Sequence, residues 1–443
     1  MRSKNSLILV LLSVLGIVPS PGRAKDFDYE PKPTNSYFAK FNPRRAPAPG
    51  PLLLQPGDRL AIIGDSITEQ RMYSRIIETY LTACVPELKV TARQFGWSGE
   101  TAEGFLRRMT NDCLRFQPTV ATLCYGMNDF RYRAFDLVNE QWYADRYGAV
   151  VKNLENAGAR VVLGSAGCVG KVPSWARSGA FTVDELNINL CAFRDRDIGL
   201  AEELHARFAD VFWPMFQAGY AAQQLYATTN AAYNVCGKDG VHPGWAGHVV
   251  MAYAFLRALG LDGDLGTFTV DLGAQTAAAT QGHTVESFKD NTLTLTSTRY
   301  PFCAEGETNR DNSIRSGTTL VPFFEALSRL RLVVKNAGAA NYQIVWGNTT
   351  NRYTRAQLAD GINLAADFVD NPFSAAFKKV DDAVAAKQAF ETHQIKQVFH
   401  GKQGAADMEK AVADTEGQRA PLAQAIAEAM VPVRHRLTIL PLP

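Results

Sequence analysis

Short apolar runs alternate with longer amphipathic stretches from residue 57 to about residue 262. This alternation is typical of parallel strands joined by helices. It predicts strands at residues 59–64, 88–95, 119–125, 160–165 and 211–213. It predicts helices at residues 71–84, 101–113, 142–157, 183–208 and 245–259. Because right-handed crossovers place such helices on both faces of one sheet, we expect a three-layer α/β/α sandwich with a mainly parallel sheet.

The pattern changes after residue 262, which indicates a second structural region. Residues 263–372 alternate like strands and predict a β-rich accessory module of antiparallel character. Residues 373–443 are rich in Ala, Lys, Glu and Gln and predict a helical region that ends in a last strand at "HRLTIL". Residues 25–56 are rich in Pro and Arg and predict an extended arm, with an ordered strap across the core as the alternative.

The first residues read as an export signal. Arg2 and Lys4 precede an apolar run over residues 7–18, and the small residues that a signal peptidase requires end at Ala24. We therefore expect residues 1–24 to be a signal peptide and the mature chain to be periplasmic or secreted. The apolar run is too short to span a bilayer comfortably, and no later stretch holds roughly 18 uninterrupted apolar residues. A membrane-embedded mature chain is not expected.

Charge and cysteine usage narrow the partners and cofactors. A formal net charge of +2 over 443 residues gives no polyelectrolyte surface for nucleic acid or acidic lipid. The seven cysteines form no C-x-x-C pair and no His/Cys cluster, so we expect neither zinc nor another metal. Export would permit disulfides, for which Cys84 with Cys113 and Cys168 with Cys191 are the predicted pairs. Cys124 lies in an apolar run and is expected to be a buried free thiol.

The first predicted strand ends on Gly64, Asp65 and Ser66, which places a charge and a hydroxyl at its tip. Ligands of such sheets bind beyond the carboxyl ends of the strands, where helices begin. The hydroxyl and N–H of Ser66 could therefore both face a reacting group. The alternative is that Asp65, Ser66 or Thr68 merely caps the next helix.

Later strand ends carry the other groups that a serine nucleophile needs, which are a base, an orienting carboxylate and donors for an oxyanion. Gly96 follows the second strand, where its N–H is accessible, and Asn128 follows the third with an amide that can donate. Asp239 and His242 lie three residues apart in a turn before the closing helix. One of these two side chains could orient the other.

These four blocks, in this order and each at a strand end, resemble the SGNH/GDSL hydrolase family over roughly residues 57–262. The resemblance implies a flavodoxin-like sheet and a Ser-His-Asp triad made of Ser66, His242 and Asp239. It also implies an oxyanion hole formed by the N–H groups of Ser66 and Gly96 and by the amide of Asn128. No cofactor is implied.

Some neighbouring residues compete for these roles or depart from the family pattern. Members often carry Asn two residues before the second-block glycine, whereas this chain has Gln94. Ser98 lies in half of a Gly-x-Ser-x-Gly motif, but Glu100 replaces the final glycine and no strand ends there. His248 falls inside the closing helix, and Asp65 and Asp129 are expected to fix turns. Rim or packing roles remain equal alternatives for Trp97, Arg131, Tyr132 and Trp175.

The predicted chemistry is ester hydrolysis through an acyl-enzyme. The family alone does not choose the substrate. Export, a neutral surface and nearby aromatic residues favour a short acyl group, acetyl above all, on a glycan. The alternatives are a lipid or aryl esterase, and a non-catalytic glycan-binding protein on the same scaffold. The region after residue 262 supplies none of the matched positions, so we expect it to tune stability or substrate access, and the oligomeric state stays open.

Overall fold

The structure is a computed structural model that describes residues 27–176 and 181–443. The predicted signal peptide lies outside the described residues. Within those residues, none of the helices combines the length and apolar character that crossing a bilayer requires.

A five-stranded, all-parallel sheet forms the first part of the molecule, with the order β2-β1-β3-β4-β5. Strand β3 is buried at every residue, as expected for a central strand covered on both faces. Helices flank the sheet, which confirms the predicted α/β/α sandwich. The strands are β1 (Arg59–Gly64), β2 (Thr91–Gln94), β3 (Val120–Cys124), β4 (Arg160–Gly164) and β5 (Arg207–Ala209). The helices are α1 (Ser66–Glu69), α2 (Tyr73–Ala83), α3 (Ala102–Asp112), α4 (Leu137–Asn156), α5 (Val183–Glu203), α6 (Phe212–Tyr226) and α7 (Trp245–Ala258).

The predicted elements at residues 183–213 are wrong in detail. Helix α5 ends at Glu203, because the backbone turns into the left-handed region at His205, with φ of 55°. The short strand β5 follows, and Phe212 begins a helix where residues 211–213 were predicted as a strand. The helix predicted at residues 71–84 corresponds to α2, and the single turn α1 before it was not predicted.

The part of the N-terminal arm that the structure describes, residues 27–56, packs against helix α6. Phe38 and Phe41 are buried there. The Phe38 ring lies 5.8 Å from that of Trp213, and the Phe41 ring lies 4.4 Å from that of Phe216. This segment therefore completes the core beside α6.

Two further sheets form the region after residue 262, and they pack face to face. Phe268 from one sheet contacts His283 and His435 from the other. The four-stranded sheet has the order β13-β10-β6-β7 and the five-stranded sheet the order β12-β11-β14-β9-β8. Their strands are β6 (Asp264–Asp271), β7 (Thr276–Ala279), β8 (His283–Lys289), β9 (Thr292–Ser297), β10 (Arg329–Lys335), β11 (Asn341–Trp346), β12 (Thr349–Thr354), β13 (Ile362–Asn363) and β14 (Val433–Leu442).

The expected antiparallel character of residues 263–372 is wrong for one pair, because β6 and β10 run parallel. A parallel pair needs a long crossover, and here the helices between the two strands belong to it. The short helices of this region are α8 (Ile314–Leu320), α9 (Phe323–Leu327), α10 (Arg355–Asp360) and α11 (Leu364–Asp367).

The C-terminal helices pack on the parallel sheet rather than standing apart from it. Helix α12 (Ser374–His393) contacts α2 and β2, and it also contacts α14 (Met408–Ala429). Between α12 and α14 lie a π-helical turn (Gln394–Phe399) and helix α13 (Lys402–Ala406).

A buried ionic cluster fixes this contact. The Lys387 ammonium donates to Glu391 Oε1 at 2.8 Å and to the Ala92 carbonyl at 2.6 Å, and it lies 2.9 Å from Glu78 Oε1. Arg419 of α14 also donates to Glu391. Because these carboxylates and the ammonium are almost completely buried, Glu78 of α2 depends on a cation that only the C-terminal region supplies.

The cysteine pairs predicted from the sequence are wrong. All seven cysteines are buried free thiols, so neither Cys84 with Cys113 nor Cys168 with Cys191 is bonded. Cys168 instead lies beside Cys236, with 3.4 Å between the sulfur atoms. The fold brings together two residues from distant loops, which spacing along the chain does not reveal.

A hydrogen-bonded relay of two histidines crosses the core between the two C-terminal sheets. Trp346 Nε1–H donates to His435 Nδ1 at 3.1 Å, so His435 Nε2–H donates to Ser297 Oγ at 2.9 Å. The Ser297 hydroxyl then donates to His283 Nδ1 at 2.8 Å, and His283 Nε2–H donates to the Leu265 carbonyl at 2.8 Å. Because His435 Nδ1 faces the Trp346 N–H, which can only donate, the His435 ring keeps this bond only while it is neutral.

We expect this relay to make the free energy of unfolding decrease as the pH falls. Burial lowers the pKa of His435 to about 3 and also lowers that of His283. A pKa below the unfolded value of about 6.5 means that the unfolded chain binds the proton first, so this stability is lost as pH falls from about 6.5 toward 3. His435→Gln should therefore destabilise the protein most at pH 7.5 and progressively less at pH 5, measured as the difference in unfolding free energy from wild type.

The matched control is the exposed His393. His393→Gln should differ from wild type by the same small amount at both pH values. If the difference in unfolding free energy between His435→Gln and wild type is as large at pH 5 as at pH 7.5, the neutral relay is contradicted.

Candidate active site

Ser66 begins helix α1 directly after strand β1, but it is not the residue that caps the helix. Asp65 is the N-cap, and its Oδ1 accepts the Ile67 N–H at 2.9 Å. Gly64 is required here for space, because a Cβ would lie 2.2 Å from Thr68 Oγ1 and 2.8 Å from the Cys124 carbonyl oxygen. The capping alternative therefore applies to Asp65 and leaves the Ser66 hydroxyl available.

The structure brings Ser66, His242 and Asp239 together in one hydrogen-bonded chain. Ser66 Oγ lies 2.7 Å from His242 Nε2, and His242 Nδ1 lies 2.7 Å from Asp239 Oδ2. The carboxylate must accept from Nδ1–H, so Nε2 is left as the acceptor for the serine hydroxyl. This is the arrangement that a general base needs beside a nucleophile.

The turn that carries Asp239 and His242 is held by hydrogen bonds between the Asp239 side chain and the backbone of the same turn. Asp239 Oδ1 accepts the N–H groups of Val241 and His242, each at 2.9 Å. The Gly170 N–H donates to the Gly240 carbonyl at 2.9 Å, which ties the turn to the loop after β4. Partial burial acts to raise the pKa of Asp239, but the hydrogen bonds from His242 and Val241 outweigh it and the pKa is lowered. The group beside the imidazole is therefore a carboxylate.

Gly96 and Asn128 lie on loops after β2 and β3, at the same edge of the sheet as Ser66. Both have partners within the protein. The Gly96 N–H donates to Gln94 Oε1 at 3.0 Å, and Asn128 Nδ2 donates to the Glu100 carbonyl at 2.9 Å. A Cβ at position 96 would lie 2.2 Å from the Glu69 nitrogen of α1, so only glycine allows this loop to approach the nucleophile turn.

Buried carboxyl groups support these loops from below. Asp129 accepts the N–H groups of Ala102 and Gly126, each at 3.0 Å, which gives it the turn-fixing position expected from the sequence. Burial raises the pKa of Asp65 and of Asp129 to about 7 in each case. Both carboxyl groups therefore titrate near neutral pH.

Sequence reasoning missed Glu100, which it used only to discount the Ser98 motif. The Glu100 carboxylate accepts from Arg108 and from the Tyr125 hydroxyl at 2.7 Å, while its carbonyl accepts from Asn128. A charged residue in a loop ordinarily indicates solvent exposure, so nothing in its position indicated this buried role. Glu100 links the Asn128 loop to helix α3.

The aromatic candidates divide into two groups. Trp175 is 48% exposed, and its ring lies 5.8 Å from that of His242 and 5.9 Å from that of Tyr132. Trp97 instead contacts the C-terminal region, with its ring 4.9 Å from that of His400. Arg131 stacks on Trp142, 4.7 Å from its ring centroid. Of the four residues, Trp175 and Tyr132 therefore lie at the rim of the candidate site, whereas Trp97 and Arg131 pack elsewhere.

The competing serine and histidine have other partners. The Ser98 N–H donates to Glu69 Oε2. His248 is buried in α7, where its Nδ1 accepts the Tyr73 N–H at 3.2 Å and its Nε2 lies 3.1 Å from Gln70 Oε1. In the described part of the chain, His, Cys, Asp and Glu residues do not form a group of three or more that could hold a metal ion.

Comparisons with known proteins agree with this architecture. Residues 62–250 match the family model of the GDSL-like lipase/acylhydrolases. An acetylxylan esterase of Geobacillus stearothermophilus is 26% identical over 226 residues, which are 46% of this chain and 95% of that protein.

The fold is shared by a solved structure that covers most of this chain. A gut microbial diltiazem-metabolizing enzyme superposes with a TM-score of 0.69 at 19% identity, over 89% of this chain and all of that one. A GDSL-like lipase from Parabacteroides merdae has a TM-score of 0.39 at 22% identity, over 48% of this chain and 99% of that one. Residues 62–250 of this chain thus match the GDSL-like lipase/acylhydrolase family, and the match indicates an enzyme that hydrolyses esters.

Proposed function

We propose that this protein is a serine esterase that removes short acyl groups, acetyl above all, from carbohydrates. One observation carries the proposal, which is the chain from Ser66 Oγ through His242 to Asp239 with 2.7 Å at both contacts. A serine hydroxyl bonded to a neutral imidazole that is oriented by a carboxylate is suited to acyl transfer.

In the proposed mechanism, Ser66 Oγ attacks the ester carbonyl while its proton passes to His242 Nε2. Asp239 stabilises the imidazolium that forms. When the tetrahedral intermediate collapses, the bond to the alcohol oxygen breaks and His242 returns the proton to that oxygen. Water then attacks the acyl-enzyme with the same histidine as base, which releases the carboxylic acid and restores Ser66.

The proposed oxyanion donors are the Ser66 N–H, the Gly96 N–H and the Asn128 amide. Asn128 Nδ2 carries two hydrogens, one of which donates to the Glu100 carbonyl at 2.9 Å while Asp65 Oδ2 lies at 3.4 Å from the same nitrogen. In the proposed mechanism the second hydrogen leaves the longer contact with Asp65 and donates to the oxyanion. The Gly96 N–H would be shared between Gln94 Oε1 and the substrate oxygen. Such donors act mainly as charge develops in the transition state.

The position of Trp175 supports a sugar as the alcohol component. In the proposed mechanism His242 protonates the leaving alcohol, so this component lies on the histidine side of the site. Trp175 presents a half-exposed ring 5.8 Å from the His242 ring, and an aromatic face is suited to stack on the apolar face of a sugar. The relative named acetylxylan esterase supports the same substrate class.

A second candidate is an esterase for apolar acyl chains. Phe135, Leu137 and Val138 at the start of α4 are exposed, Val138 at 80%. They follow the Asn128 loop along the chain, and a group of exposed apolar side chains favours contact with an apolar ligand. Acyl chain length therefore separates the two candidates.

The test compares p-nitrophenyl acetate with the butyrate and octanoate esters, and then measures acetate release from acetylated xylo-oligosaccharides. We expect kcat/KM for the acetate to exceed that for the octanoate by roughly tenfold or more, because a short acyl pocket excludes longer chains. Acetate release from the oligosaccharides is expected as well. Faster octanoate hydrolysis would favour the lipid esterase, and oligosaccharide binding without hydrolysis would indicate a non-catalytic protein.

A further inference from the structure

A lysine from the C-terminal region reaches the loops that carry the proposed catalytic groups. Lys396 lies in the π-helical turn after α12, outside the part of the chain that matches the family. Its ammonium lies 2.7 Å from Glu69 Oε1 and 5.2 Å from the centroid of the Trp97 ring. Both side chains of the ion pair are largely buried, at 22% and 18% exposure, so the contact is screened less than a surface pair.

Glu69 connects the two loops of the site. It is the last residue of α1, the single turn that Ser66 begins. Its Oε1 accepts from Lys396 and its Oε2 accepts the Ser98 N–H, two residues beyond Gly96. Burial acts to raise the pKa of Glu69, but the bonds from Lys396 and Ser98 outweigh it and the pKa is lowered. Glu69 is therefore an anion that joins the nucleophile turn to the Gly96 loop, with Lys396 as its counter-charge.

The last turn of α12, directly before the π-helical turn, orients Gln94, the residue that departs from the family pattern. Gln94 Nε2 donates to Thr392 Oγ1 at 2.5 Å, which turns Oε1 of the same amide toward the Gly96 N–H. The C-terminal region thus supports the loop that carries Gly96 by two routes, through Gln94 and through Glu69. π-Helical turns are rare and occur frequently at functional sites, which fits a turn that aims Lys396 at this loop.

We propose that Lys396 is a positioning residue of the esterase, holding the Gly96 loop against the turn that carries Ser66. The inference rests on the proposed function. Without the ammonium, Glu69 would be a largely buried carboxylate with no cation, and it would turn toward water and release Ser98. Displacement of an oxyanion donor by even a fraction of an ångström lowers the rate of the chemical step more than it lowers substrate binding.

The experiment compares Lys396→Met, which keeps the apolar stem, with Lys396→Arg, which keeps the charge. On p-nitrophenyl acetate we expect Lys396→Met to lower kcat roughly tenfold with KM nearly unchanged, and Lys396→Arg to restore most of the rate. The matched control is Lys378→Met on α12, where the lysine forms a similar ion pair with Asp382 at 2.7 Å but is exposed. This control should keep the wild-type kcat.

Amide hydrogen exchange gives a second measurement that does not depend on turnover. Peptides covering residues 66–70 and 94–100 should exchange at least about threefold faster in Lys396→Met than in wild type or Lys378→Met. If exchange and kcat are unchanged, or if Lys378→Met has the same effect, the inference is wrong. If wild type hydrolyses no ester, the proposed function fails, and the exchange data still decide whether Lys396 positions the loop.

Discussion

Ser66→Ala is expected to lower ester turnover by a factor on the order of 10³ or more while the protein stays folded. The change removes the atom that lies 2.7 Å from His242 Nε2 and that would form the acyl-enzyme. The fold should tolerate it, because the cap of α1 is supplied by the Asp65 side chain and not by Ser66. The measurements are kcat on p-nitrophenyl acetate, labelling by a serine-reactive probe, and the thermal melting temperature.

Ser98→Ala is the control for this prediction, since Ser98 is the competing serine of the sequence. The substitution keeps the backbone N–H that Glu69 accepts, so most of the activity and the probe labelling should remain. A folded Ser66→Ala protein with wild-type turnover would exclude the proposed nucleophile.

Removal of the C-terminal region is expected to abolish the folded enzyme, although that region supplies none of the motif residues. A chain that ends at Gly263 lacks the whole of α12, which exposes the faces of α2 and β2 that this helix covers. It also loses Lys387, the cation that pairs with Glu78 of α2. The newly exposed apolar surface disfavours the compact state. Soluble yield, circular dichroism and turnover on p-nitrophenyl acetate would measure the outcome.

A point variant tests the same interface in the full chain. Lys387→Met should cost about 3 kcal/mol or more of unfolding free energy, because it leaves buried carboxylates uncompensated. The control Lys410→Met, which removes an exposed pair with Asp414 on α14, should leave the unfolding free energy nearly unchanged. A truncated chain that stays soluble, folded and fully active would contradict this account.

The order of motifs at the strand ends was sufficient to predict that these residues would meet at one edge of the sheet. Gly64 to Ser66, Gly96 and Asn128 follow successive strands, and parallel strands bring such ends to one edge. The error at residues 183–213 has a local cause. Helix α5 ends before His205, a left-handed residue that is not glycine, so the usual stop signal is missing.

Contacts between distant segments could not be predicted from spacing. Lys387 lies in an Ala-rich helix, where a lysine usually faces solvent, yet its partner Glu78 is more than 300 residues earlier. The same limit explains Cys168 beside Cys236, and Lys396 beside Glu69. In each case one residue carries no local sign of its partner.

The position of β14 has a consequence for the order of folding. This strand lies at the centre of its sheet, between β9 and β11, but it is made only after the helices α12 to α14. Until it arrives, the hairpins β8-β9 and β11-β12 each present an open edge with unpaired N–H and C=O groups. The nascent chain must therefore keep these two edges apart through a long interval of synthesis, which makes this stage the point most exposed to aggregation.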